Sequence, residues 1–200
     1  MLRVTAKAAT NAEAAAMLEP VVTEIRAILG DEIYGQDVDS LEQVVIRDLT
    51  AAGLTLAAAE SCTGGLISKR LTDIPGASSA FLGGVVAYSN AVKINLLGVD
   101  VALIASQGAV CAQAAEQMAK GVRRLTGADI GLGVTGIAGP DGGSAEKPVG
   151  LVYVALDFCG EAEIVKLNAG TDRGRVRTQS SNRALDMVRR KLGHLPCRDA

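Results

Sequence analysis

The chain contains no tryptophan, three tyrosines and two phenylalanines among its 200 residues. Base-stacking platforms need aromatic faces, so nucleic acid is not an expected ligand. Neither sign of charge is in excess, with 20 Lys and Arg against 22 Asp and Glu and a formal net charge of −2. That balance removes a general attraction to nucleic acid or to an anionic membrane surface. His194 is the sole histidine, and the cysteines at 62, 111, 159 and 197 include no Cys-x-x-Cys pair. Zinc sites of the usual spacing are therefore excluded. No apolar run approaches a membrane span and no signal peptide opens the chain, so a soluble, reduced, cytoplasmic setting is expected, with the thiols as small buried hydrophobes. No Gly-Lys-Ser/Thr follows any glycine loop, which leaves a P-loop unsupported.

What is present is apolar: 48% of the residues are hydrophobic, enough for one complete core with a small appendage. Thr10 and Glu13 read as a capping box opening an Ala-rich helix, which Pro20 should interrupt or restart before Gly30 ends it. The polar turn 35–39 is the expected junction with the main domain. From Asp39, with Glu42 three residues on, apolar positions keep helical spacing to Gly53. Beyond it, helices alternate with short apolar strands near 54–58, 83–88, 130–134, 151–157 and 164–167, and a helix over 173–192 closes the chain. These elements predict a layered α/β/α sandwich with a mixed, mainly parallel sheet and one antiparallel hairpin, preceded by a helical extension over residues 1–36.

The stretch Ala59, Glu60, Ser61, Cys62, Thr63, Gly64, Gly65 organises the reading. A strand that delivers Ser61 into a glycine turn at a helix N-terminus presents a hydroxyl where backbone N–H groups converge on an oxyanion. The plainer alternative is that Ser61 and Thr63 merely cap the helix. Tyr88 at a strand end and Lys93 in the next helix could face the same mouth. A desolvated lysine can lose its proton and serve as the base for serine without any histidine; otherwise Tyr88 fills the core edge and Lys93 is solvated. A second glycine-dense loop, with Thr135, Gly136, Gly139, Gly142 and Gly143, could nest an anion. Lys147 fits either a site or a surface loop. Arg173, at the start of the last helix, could fork a phosphate or carboxylate, whereas Arg175, Arg177, Arg183, Arg189 and Arg190 read as solvated.

Gly131, Gly133 and Gly136 spell Gly-x-Gly-x-x-Gly, with Asp157 where a ribose-binding acid would be wanted. These glycines sit within a strand and no crossover helix follows, so a dinucleotide fold is rejected. Cys62 beside Ser61 raises a thiol nucleophile, but its one imidazole candidate, His194, is far along the chain, and a packed small residue is the better reading.

The segments AESCTGG (59–65), LTDIPGASSAFLGGVVAYSNAVKINLLGV (71–99), GVTGIAGPDGGSAEKPVG (133–150) and GTDR (170–173) closely resemble the CinA C-terminal-domain family, the competence/damage-inducible CinA proteins and nicotinamide-nucleotide amidases. The resemblance covers about 38–192. It implies cofactor-independent hydrolysis of nicotinamide mononucleotide to nicotinate mononucleotide and ammonia. By that resemblance Ser61 is the nucleophile, Lys93 the general base, Tyr88 a phenol relaying the proton, Thr135 a site hydroxyl and Arg173 a substrate-holding arginine. Thr63, Gly64, Gly65, Gly136, Gly139, Gly142 and Gly143 would line the substrate site. Many relatives carry an acid after the Ser-Asn pair, where this chain has Ala91. Residues 1–36 resemble the tail of the domain that precedes this one in full-length CinA proteins, and 37–200 the amidase domain. The other reading is a nucleotide-binding or regulatory module, linked to competence or DNA damage, that keeps the pocket without catalysis. The apolar composition and the detached N-terminal helix are compatible with a homodimer.

Overall fold

The computed structural model describes residues 2–194; Cys197 lies outside them. The chain divides into two compact units, the first ending at Asp37 and the second beginning at Val38. In the first, helix α1 (Asn11–Leu29) opens on the capping box: Glu13 N–H donates to Thr10 Oγ1 at 3.2 Å, and Thr10 N–H donates to Glu13 Oε2 at 3.2 Å. The interruption expected at Pro20 does not occur. A proline's φ is already helical, so its missing N–H removes one bond without ending the helix, and Gly30 at φ +50 supplies the stop.

The second unit begins with α2 (Leu41–Ala52). Its cap is Ser40, one residue later than expected, because Ser40 Oγ accepts from Gln43 N–H at 3.3 Å while Gln43 Oε1 accepts from Asp39 N–H at 3.1 Å. There follow β1 (Leu56–Glu60), α3 (Leu66–Thr72), β2 (Phe81–Val86), α4 (Asn90–Leu97), α5 (Val101–Gln107), α6 (Ala112–Thr126), β3 (Ile130–Gly136), β4 (Leu151–Phe158), β5 (Glu161–Asn168) and α7 (Arg173–Gly193).

The sheet order is β2-β1-β3-β4-β5. β1 pairs in parallel with both β2 and β3, whereas β4 is antiparallel to β3 and to β5, so β4 alone runs against the rest. One face carries α2, α3 and α7, whose Leu49, Ile67, Leu71, Leu185 and Val188 pack on Leu56, Ala58, Leu132 and Val154. The other face carries α4 and α6, with Leu97, Met118 and Val122 over Ala57 and Ala59. This is the expected three-layer sandwich. Leu125 falls on the buried arc of α6 but in its last turn, and is 49% exposed.

The glycines of β3 set the spacing of the second layer. A Cβ on Gly131 would lie 2.2 Å from the Ala119 carbonyl oxygen, and one on Gly133 2.1 Å from that of Ala115. The α6 backbone therefore rests directly on β3. This close approach, with no helix directly after β3, is what the Gly-x-Gly-x-x-Gly pattern encodes.

Candidate active site

Crossovers place the site. From β1 the chain passes through α3 to β2 on one face, then returns through α4, α5 and α6 over the other face to β3. The carboxyl ends of β1 and β3 thus flank the point where the winding reverses, the place where open α/β sheets bind ligands.

Side-chain alternation then sorts the residues. Along β1, Leu56 and Ala58 face α2, α3 and α7, while Ala57 and Ala59 face α4 and α6. Ser61 therefore points to the α4/α6 side. Its N–H extends the ladder, donating to the Val134 carbonyl at 2.9 Å. On β3, Ile130, Leu132 and Val134 face the first layer, so Thr135 shares the face of Ser61. Glu60 pairs with Val134, which puts Ser61 and Thr135 side by side on strands about 4.8 Å apart. On the opposite flank Glu60 pairs with Val86, so Ala87 follows beside Ser61.

Lys93 comes back to that point from the first turn of α4, which Ser89 caps. Its Nζ donates to the Ala87 carbonyl at 2.7 Å and to that of Tyr88 at 3.4 Å. The side chain is only 2% exposed, so the solvated alternative does not apply. Burial lowers its pKa below the ordinary lysine value, and the Cys62 side chain, next to Ser61, pulls weakly the other way. Ser61 itself is buried, and its hydroxyl makes no hydrogen bond among the described residues. A free hydroxyl and a reluctant ammonium thus share one face of the sheet.

Neither Ser61 nor Thr63 caps α3. The cap position is Gly65, at φ 90 with no side-chain bond, and the helix end is closed by Glu60. Its carboxylate, fully buried on the α3 side, accepts from Ile67 N–H at 3.0 Å, Ser68 N–H at 2.8 Å and Ser68 Oγ at 2.7 Å. Sequence reasoning missed this role; its one signal was an acid ending an otherwise apolar strand. Gly64 N–H, expected at the oxyanion, donates to the Ser61 carbonyl at 3.1 Å.

Thr63 is fully buried with its Oγ1 unpartnered, and its carbonyl accepts from Arg177 Nε at 3.1 Å and from Arg177 NH2 at 2.8 Å. Arg177 is therefore not the solvated position expected of it, since it pins the serine turn to α7. Arg183, Arg189 and Arg190 gather on Asp186 instead. Arg173 opens α7 and donates to the Gly139 carbonyl at 2.8 Å and to the Tyr88 hydroxyl at 3.1 Å. The Tyr88 side chain is 61% exposed; its phenol meets Arg173, while its carbonyl is what meets Lys93. The expected relay from that phenol to Lys93 has no hydrogen bond here. Thr135 Oγ1 donates to the Ala109 carbonyl at 2.8 Å.

In the second glycine loop the close approach is to the chain itself. A Cβ on Gly136 would meet the Leu151 carbonyl at 2.7 Å, on Gly139 the Val149 side chain at 2.5 Å, and on Gly143 the Val149 nitrogen at 2.9 Å. On Gly142, at φ +87, a Cβ would make only ordinary contact with the Ile137 side chain at 3.9 Å.

The site's charge is one-sided. Lys93, Lys147, Arg173 and Arg177 all donate to neutral oxygens, and none has an ion-pair partner among the described residues. Elsewhere Arg70 pairs with Glu42, and Arg123 with the fully buried Asp157, which disposes of Asp157 as a ribose ligand, while Arg124 bonds the Leu97 carbonyl. The Cys62 thiol is pushed up to about 11 by burial, so it is protonated at neutral pH. His194 ends α7, whose Arg177 holds the carbonyl of Thr63 next to Cys62; the helix carries it roughly 25 Å from that point at about 1.5 Å per residue. A cysteine–histidine pair is thereby ruled out.

The sequence matches the family described as the CinA C-terminal domain over residues 38–192. The chain belongs to the CinA C-terminal domain family. Residues 1–35 match the damage-inducible protein CinA KH domain. A CinA-like protein from Dictyoglomus thermophilum is 52% identical over 195 residues, covering 98% of this chain and 47% of that protein. A putative competence-damage inducible protein from Thermoanaerobacter is 49% identical over 96% of this chain and 46% of its own length. The chain thus spans about half the length of the curated relatives it matches. Among solved structures, a competence/damage inducible protein from Agrobacterium tumefaciens superposes with a TM-score of 0.75 at 40% identity, covering 81% of this chain and 99% of that one. A CinA superfamily protein from Klebsiella pneumoniae gives 0.74 at 32% identity, over 78% and 100%. No helix among the described residues of this CinA-family chain is long and apolar enough to cross a membrane.

Proposed function

We propose that the domain is a Ser/Lys amidohydrolase that converts nicotinamide mononucleotide to nicotinate mononucleotide and ammonia. The observation that carries this reading is Lys93: a lysine 2% exposed, bonded to a backbone carbonyl beside Ser61 and with no carboxylate partner among the described residues. Such an amine sheds its proton more readily than a solvated one. Ser61 Oγ attacks the carboxamide carbon as its proton passes to neutral Lys93, and backbone N–H groups of the glycine turn receive the oxyanion. The lysine then returns that proton to the departing nitrogen, which leaves as ammonia and an acyl-serine. Water, deprotonated by the same amine, attacks the ester; the acid is released and Ser61 regains its proton. Arg173, at the start of α7, suits a phosphate-bearing substrate.

Ammonia release from the purified chain on adding nicotinamide mononucleotide tests the reading. Ser61→Ala should abolish turnover while leaving nucleotide binding within about twofold; unchanged turnover would remove the mechanism. Nucleotide binding with no ammonia from the parent chain would leave a binding module in its place.

A further inference from the structure

From the last residue of α5 toward α6, four consecutive peptide carbonyls are each taken by a side-chain donor. Lys147 Nζ donates to Gln107 at 2.5 Å and to Val110 at 2.7 Å, Cys111 Sγ to Gly108 at 3.6 Å, and Thr135 Oγ1 to Ala109 at 2.8 Å. Left to itself, such a turn would point its carbonyls at water. Two of the donors belong to the site, Thr135 on β3 and Lys147 in the second glycine loop. Lys147 is itself held at the main chain: its N–H donates to Ser144 Oγ at 3.1 Å, and its carbonyl accepts from Ser144 N–H at 2.8 Å.

We infer that Lys147 is a positioning residue, a clip whose ammonium joins the glycine loop to the 107–110 turn and so fixes the wall of the site on the Thr135 side. A lysine suits this because its point charge bonds two carbonyls converging from different directions, where the flat fork of arginine would not. Gly108, at φ +71, lets the turn close under it: a Cβ there would come within 3.7 Å of Nζ. Because Thr135 spends its proton on Ala109, the position of the turn also sets the orientation of the Thr135 hydroxyl beside Ser61. Only the catalytic consequence of the clip rests on the amidase reading.

Lys147→Met keeps the stem and removes the donors. Amide hydrogen exchange of the intact chain is expected to speed up by about tenfold or more over 107–114, the factor carried by one hydrogen bond to a charged group, with α2 unchanged. The KM for nicotinamide mononucleotide is expected to rise by a similar factor with kcat within about twofold, and the dephosphorylated nucleoside should suffer the same rise. Unchanged exchange over 107–114 overturns the clip whether or not the parent hydrolyses anything. A KM rise confined to the phosphate-bearing substrate also overturns it, because that pattern assigns the ammonium to the phosphate. If the parent releases no ammonia, the exchange measurement alone decides, and the failure belongs to the amidase reading.

Discussion

Glu60→Gln tests how the serine turn is built. The carboxylate is fully buried, has no cationic partner among the described residues, and accepts three hydrogen bonds from the start of α3. An amide of the same shape keeps an acceptor oxygen but turns an NH2 toward a backbone N–H, so at least one donor is orphaned. Losing a bond to a charged group costs about 1.5–3 kcal/mol, and losing the anion at the helix end about 0.3–1 kcal/mol more. Together these give roughly 2–4 kcal/mol, and at about 2–4 °C per kcal/mol for a chain of this size the midpoint should fall by roughly 5–15 °C. Thermal and urea denaturation at pH 7 read this directly. Ammonia release should be compared at a temperature where both forms are fully folded, and it should fall as well, because Ser61 hangs from the residue whose anchor has been weakened. A variant within about 0.5 kcal/mol of the parent would refute the claim that a buried anion closes this helix.

Lys93→Met should abolish ammonia release and, by removing a buried ammonium, raise stability at neutral pH by about 0.5–2 kcal/mol. The lysine's folded-state pKa is depressed, so the unfolded chain holds that proton more tightly: the parent's stability should climb as pH rises from the lowered value toward 10.5 and the variant's should not, and parallel urea titrations across that range would expose an error in sign. The same depressed pKa predicts that the parent's kcat/KM rises with pH to a plateau. Gly133→Ala, whose Cβ would lie 2.1 Å from the Ala115 carbonyl, should cost about 3 kcal/mol through overpacking; normal stability with impaired nucleotide binding would instead make that glycine part of a phosphate loop.

What was legible in the chain was local. The cap at Thr10, the glycine stops at 30, 53 and 127, the alternation that sorts Ser61 from Glu60, and the hairpin of β4 and β5 all follow from a few neighbouring residues. The slips were also local competitions: Ser40 outbid Asp39 for the α2 cap, and α1 absorbed Pro20. The functional contacts that escaped notice are the distant ones. Arg177 meets Thr63 across 114 positions, and Lys147 reaches Gln107 across 40. No periodicity distinguishes such cations from solvated ones, since the acceptors are backbone carbonyls that every residue carries.

The sheet's alternation also explains why the lysine can serve as a base. Glu60 and Ser61 are neighbours in sequence, yet a strand sends successive side chains to opposite faces, so the acid goes to α3 and the hydroxyl to α4. Sliding β1 by one residue would exchange them. Glu60 would then face the Lys93 ammonium in a buried ion pair, which would favour the charged amine and raise its pKa. The sheet keeps the carboxylate that stabilises the turn away from the amine, whose charged form it would favour. Thus the apolar run from Leu56 to Ala59, fully buried on both faces, is as much a determinant of Lys93 chemistry as any residue that touches it.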